Sequence, residues 1–187
     1  MAELNFNPIV DGASGKFGRK LVFQQRAGKT VMASAPGKRK KEPTEDQKAH
    51  YARFAQAILF GQKMLADPEK KKMYDAAAPP GQSGYNVAVA DFLNKPAFVK
   101  IDLSAYSGEI GQLIIVEVKD DFKINSVAIK IENADGSLVE EGAAVSDGSG
   151  IVWTYTTTVS NTSTEGDKIT ITASDIPANL AVHQETF

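Results

Sequence analysis

From residue 97 onward the chain alternates apolar and polar residues in run after run, and this period of two constrains its fold more than any other feature. Val127-Ala128-Ile129-Lys130-Ile131-Glu132 and Ile151-Val152-Trp153-Thr154-Tyr155 are the clearest runs. Successive side chains of a strand point to opposite faces, so such alternation builds a sheet with one face buried and the other in water. Candidate strands are Phe98–Leu103, Gln112–Val118, Ser126–Glu132, Leu138–Ala144, Ile151–Val159, Lys168–Ala173 and Leu180–Gln184. Between them stand Asp135-Gly136, Asp147-Gly148-Ser149-Gly150 and Glu165-Gly166-Asp167, whose residue types favour turns. Seven short strands in one such stretch predict a two-sheet antiparallel sandwich. Trp153, alternating with Ile151 and Tyr155, is expected in its core.

Residues 1–96 have a different texture. Gly12, Gly15 and Gly18 punctuate the start. Lys20–Gln25 and Thr30–Ser34 then flank Arg26-Ala27-Gly28-Lys29, two β-prone runs around a Gly-containing turn that predict a hairpin. A lone two-stranded hairpin is marginal, so it must pack on something. After a basic connector from Pro36 to Pro43, Thr44 and Gln47 make a capping box for a helix over residues 44–66. Tyr51, Phe54, Ala55, Ile58, Gln62 and Leu65 recur at helical spacing, widened by Leu59 and Phe60, and form its expected apolar stripe. Asp67-Pro68 restarts a helix as N-cap and first residue, and Pro79-Pro80-Gly81 stops it. Ser83 opens a third helix through Tyr85, Val89, Phe92 and Leu93, closed by Asn94 and Pro96.

Charge divides at the same place. Residues 1–96 hold 16 Lys+Arg against 9 Asp+Glu, net +7, whereas residues 97–187 hold 5 against 14, net −9. The split supports two domains, 1–96 and 97–187, whose surfaces face different partners or each other. The basic side chains Arg19, Lys20, Arg26, Lys29, Lys38, Arg39, Lys40, Lys41, Lys70, Lys71 and Lys72 are the candidate interaction surface. They are of the type that neutralises nucleic-acid phosphates. Acidic residues such as Glu42, Glu45 and Asp46 are interspersed, however, which points to an acidic protein partner or self-association ahead of nucleic acid.

No catalytic, cofactor-binding or metal-ligating residue is expected. The chain has no cysteine, which removes disulfides, thiolate metal sites and cysteine nucleophiles. His50 and His183 fall in different halves, and neither H-E-x-x-H nor G-x-S-x-G occurs. Gly12-x-x-Gly15-x-x-Gly18 with Lys16 lacks the Walker spacing and precedes a hairpin, so it reads as turn glycines. Asp120-Asp121, Asp135, Asp147, Asp167 and Asp175 offer calcium-type donors, but EF-hand spacing is absent and turn chemistry alone favours aspartate. No apolar run is long enough to span a membrane, and the N-terminus lacks the n- and h-regions of a secretory signal. The expected location is the cytoplasm or a phage-like assembly.

Three resemblances bear on these readings. Leu65–Asp75 looks like the tail of a J-domain co-chaperone, but the His-Pro-Asp tripeptide that defines that activity is missing, and the function is not carried over. Gln25-Arg26-Ala27-Gly28-Lys29-Thr30, the basic connector, the Thr44-Glu45-x-Gln47 helix start, Arg53-Phe54-Ala55 and Tyr85-Asn86-Val87-Ala88 resemble a group of small Bacteroidetes-type bacterial proteins over residues 12–96. No activity comes with that resemblance. Gly150-x-x-Trp153-x-Tyr155-Thr156 and Gly166-Asp167-x-Ile169-Thr170-Ile171-x-Ala173-x-Asp175 resemble the last strands of bacterial immunoglobulin-like domains. Those domains usually end Asp-x-x-Gly-Asn, and here Ala178 replaces the glycine. The resemblance implies an immunoglobulin-like sandwich used for adhesion, spacing or decoration, on a fold that hosts many functions.

The expected fold is therefore α+β, an N-terminal hairpin with three helices followed by an immunoglobulin-like sandwich. The expected function is that of a non-enzymatic structural or interaction protein, a component of a multi-subunit assembly of phage-derived type that displays the sandwich. A nucleic-acid-associated protein working through the basic half is the alternative, and an enzyme of unrecognised type is the third reading.

Overall fold

The computed structural model describes residues 2–4 as backbone, and residues 8–26, 28–37 and 41–187 in full. These form twelve strands and three helices, with the strands in three antiparallel sheets. The predicted hairpin is β3 (Leu21–Arg26) and β4 (Lys29–Ser34), in register from Leu21 opposite Ser34 to Arg26 opposite Lys29. Gly28 in its two-residue turn has φ +77°, a conformation that favours glycine. Two short strands unseen in the sequence complete this sheet. β1 (Ala2–Leu4) pairs with β4 and β2 (Gly15–Phe17) with β3, giving the order β1-β4-β3-β2. The instability of an isolated hairpin is thus met by its own flanking strands, with Thr30 and Val31 buried. Gly12, Gly15 and Gly18 serve turns and the edge strand, and the Gly12 N–H donates to Thr30 Oγ1 at 3.1 Å.

Helix α1 (Glu45–Ala66) starts on the predicted capping box, in which Thr44 Oγ1 accepts from the Gln47 N–H and Gln47 Oε1 accepts from the Thr44 N–H. In α2 (Pro68–Ala77), Asp67 Oδ1 accepts from the N–H groups of Glu69 and Lys70. Each such cap contributes about 1 kcal/mol. Helix α3 (Gly84–Leu93) packs on both. The face α1 buries differs from the expected stripe. Ala57, Gly61 and Met64 are its buried residues, whereas Tyr51, Phe54 and Leu59 are exposed. The reason is close approach: a Cβ on Gly61 would lie 2.9 Å from the Tyr85 ring and 3.1 Å from Val89. The crossing with α3 selects small residues, whereas Phe60 and Leu65 of the expected stripe are half-buried against the helical core. Met64, Tyr74, Val87 and Ala88 form the helical core, and Phe122 from the sandwich packs against it.

The sandwich comprises β5 (Ala97–Asp102), β6 (Leu113–Lys119), β7 (Ile124–Glu132), β8 (Leu138–Ala143), β9 (Val145–Ser146), β10 (Val152–Thr156), β11 (Lys168–Asp175) and β12 (Leu180–Thr186). One sheet runs β5-β6-β10-β9 and the other β12-β11-β7-β8. In immunoglobulin lettering these are A-B-E-D and G-F-C, with β8 extending the second sheet. Between β8 and β9 the chain crosses from one sheet to the other. The alternation does what period two requires. Ile114, Val116, Val118, Trp153 and Tyr155 point inward from one sheet, and Val127, Ile129, Ile131, Ile169, Ile171 and Ala173 from the other. Trp153 is a core residue, while Ile151 precedes β10 and is exposed. Among the described residues, no helix is long and apolar enough to cross a membrane.

Candidate functional site

Among the described residues, the basic side chains of the hairpin lie at its two ends. Arg19 and Lys20 precede β3, and Arg26 and Lys29 lie at its far end. Six residues at about 3.3 Å each place the two pairs roughly 20 Å apart. All four are exposed, as are Lys41, Lys70, Lys71 and Lys72. Lys70 lies 3.6 Å from Asp67 and Lys71 is paired with Asp75, one helical turn away in each case. Lys38, Arg39 and Lys40 lie outside the described residues.

On the same sheet, Val10, Ala13, Phe17, Leu21 and Phe23 line a mainly apolar groove of about 360 Å³. Phe17 remains 72% exposed although its ring meets Phe23 edge-on. Among the described residues, the strands of this sheet contact chiefly one another, with no extensive packing on the helices or the sandwich.

The aspartates of the C-terminal half separate into three kinds. Asp135 and Asp147 form turns, each Oδ1 accepting from the N–H and hydroxyl of a serine two residues on, Ser137 and Ser149. Those bonds hold both carboxyls below the usual range. Asp167 is buried and accepts from the Tyr106 hydroxyl at 2.8 Å and the Asn161 amide at 2.9 Å. Asp120 and Asp175 meet a third carboxylate from the other half of the chain, Asp91 on α3.

This acidic junction is built by three elements. Asp91 sits in the last turn of α3. Asp120 immediately follows β6, and Asp175 ends β11. One carboxylate oxygen from each lies within 4.8 Å of those from the other two. Asp91 is fully buried, and its Oδ2 accepts from the Tyr74 hydroxyl at 2.6 Å. Asp91 Oδ1 and both Asp120 oxygens are shielded from solvent and have no hydrogen-bond partner. Asp175 is held by Asn179, whose N–H donates to Oδ1 at 2.6 Å and whose amide donates to Oδ2 at 2.7 Å. Burial pushes the Asp91 carboxyl up to about 7 and also raises Asp120 and Asp175. The Tyr74 ring stacks on Phe122 at 4.2 Å, closing the junction from the helical side.

Sequence reasoning singled out Asp120 and Asp175 but not Asp91. The available signal was a charged residue inside the otherwise apolar run Val87-Ala88-Val89-Ala90-Asp91-Phe92-Leu93, four positions from Val87 on the buried face. Chemically the junction offers carboxylate oxygens alone, a set suited to hard cations or to a shared proton.

No protein-family model and no curated protein matches the chain. Among solved structures, it is similar to CopC from Methylosinus trichosporium OB3b at 14% identity and TM-score 0.38, over 49% of this chain and 90% of that one. It is also similar to an engineered protein from the Northeast Structural Genomics Consortium at 17% identity and TM-score 0.37, over 59% of this chain and 30% of that one.

Proposed function

We propose that this is a non-enzymatic structural protein, a component of a multi-subunit assembly of phage-derived type, which docks through its N-terminal sheet and displays the immunoglobulin-like sandwich. The observation carrying this reading is the N-terminal sheet itself. Among the described residues it packs little against the helices and the sandwich, yet it presents Phe17 and an apolar groove. The occupant is a second copy of the chain, because residues 97–187, at net −9, offer the complementary surface to residues 1–96 at +7. Such a head-to-tail contact builds rings or filaments. An apolar centre is required, since exposed ion pairs contribute only about 0–1 kcal/mol each.

Light scattering across a concentration and salt series tests the reading. Oligomers are expected at low salt, weakened by salt and abolished by Phe17→Asp. A strictly monomeric protein would overturn it. If that monomer bound duplex DNA with an affinity falling steeply as salt rises, the nucleic-acid reading would replace it.

A further inference from the structure

We propose that Asp91, Asp120 and Asp175 form a binding site for a hard divalent cation of the calcium class, which clamps the end of the helical segment to the sandwich. The first support is distance. Two oxygens that each lie about 2.4 Å from one ion can be at most about 4.8 Å apart, and the three carboxylates meet that limit.

The second support is the set of polar atoms left over. Asp91 Oδ1 and Asp120 Oδ1 and Oδ2 are out of water and make no well-formed hydrogen bond, with only the main-chain N–H groups of Asp121 and Phe122 facing Asp120. The protein satisfies the other junction oxygens with care. Tyr74 takes Asp91 Oδ2, and Asn179 takes both oxygens of Asp175. Buried polar atoms are almost always paired, so three orphans on two converging carboxylates indicate a ligand the chain itself does not supply. Among the described residues no Lys, Arg or His forms an ion pair with any of the three.

A shared proton is the competing account. One proton shared between Asp91 and Asp120 partners two of the three orphan oxygens but neutralises only one carboxylate, leaving one orphan oxygen and two negative charges close together. A divalent cation offsets two charges and can contact all three residues at once. The donor set is oxygen alone, which selects calcium or magnesium over the softer transition metals. Orientation is already established: Tyr74 fixes Asp91 and Asn179 fixes Asp175, as hydrogen-bonded partners commonly do for metal ligands. Asp120 also borders a groove of about 520 Å³ with Val118, Lys119, Phe122, Lys123 and Ile124.

The test uses the full chain, stripped with a chelator and titrated with calcium chloride and separately with magnesium chloride. Calorimetry should show one cation bound per chain, and melting temperature should rise with cation concentration. Asp91→Asn keeps the shape and the Tyr74 contact and removes a charge; it should fold, melt no lower than the stripped parent, and lose the calcium response. Asp120→Asn should do the same. Asp135→Asn, on an exposed turn, should respond like the parent. Absence of binding and of any melting shift at millimolar calcium and magnesium would overturn the proposal. So would undiminished binding in Asp91→Asn and Asp120→Asn.

Discussion

The side-chain amide of Asn179, on the turn between β11 and β12, donates to the main-chain carbonyl of Asn94 at 2.7 Å, across 85 residues of sequence. The same amide lies 3.2 Å from the Asp91 carbonyl and 3.3 Å from that of Phe92. Carbonyls in the last turn of a helix lack intrahelical donors, and here the sandwich supplies one. Asn179→Ala removes it and also takes the amide donor from Asp175 Oδ2, leaving the main-chain bond to Oδ1. We expect a loss of about 1–3 kcal/mol, read as a shift in the urea midpoint. Proteolysis between α3 and β5 should also become faster. A variant with unchanged midpoint and unchanged cleavage would mean that the contact does not hold the junction.

Ala178, beside it, has φ 68°, in the left-handed region. An L-residue there costs roughly 1–2 kcal/mol, partly offset because glycine loses about 0.4–1 kcal/mol more entropy on folding. Ala178→Gly should therefore stabilise the protein by about 0.5–1 kcal/mol in equilibrium unfolding. Destabilisation would refute the strained-turn account.

Helix α1 offers a direct test of which face is buried. Gly61→Leu forces a branched side chain into the Tyr85 ring and should cost more than about 2 kcal/mol, in the range of core overpacking. Leu59→Gln, on a side chain that is 65% exposed, should change stability by less than about 0.5 kcal/mol. The stripe read from bulky residues requires the opposite ranking, so thermal melts of the two variants decide between them.

Three buried tyrosines each donate a hydroxyl to a carboxylate: Tyr74 to Asp91, Tyr106 to Asp167 and Tyr155 to Glu140. Burial, then the carboxylate partner, raises all three above the ordinary phenol value, with Tyr155 pushed up to about 12. Below pH 10 the hydroxyl is neutral in both folded and unfolded chains, and its contribution to stability is complete. Above pH 10 the unfolded chain ionises first, so stability falls as pH rises toward 12. The urea midpoint should drop across that window, with tyrosinate absorbance of the folded protein lagging behind that of the unfolded chain. Tyr155→Phe should flatten part of the drop. Buried tyrosines titrating near pH 10 in the folded state would contradict this.

Local chemistry determined much of this protein in advance. Period-two alternation placed all seven predicted strands of the sandwich and turned Trp153 inward, because a strand's side-chain direction depends only on residue parity. Thr44 with Gln47 and Asp67 with Pro68 marked two helix starts, because caps act within four residues. Gly28 marked the hairpin turn for the same local reason. What the tertiary structure decided involved groups far apart in sequence. β1 and β2 are three residues each, too short to show a period, and exist only through pairing with β4 and β3. The α1 face depended on how closely α3 could approach Gly61. The acidic junction needed Asp91, Asp120 and Asp175 brought together from α3, the end of β6 and the end of β11. Asp120 and Asp175 look like ordinary turn aspartates in their own neighbourhoods, and Asp91 shows only as a charge in an apolar helix; burial and convergence are properties of the packed chain.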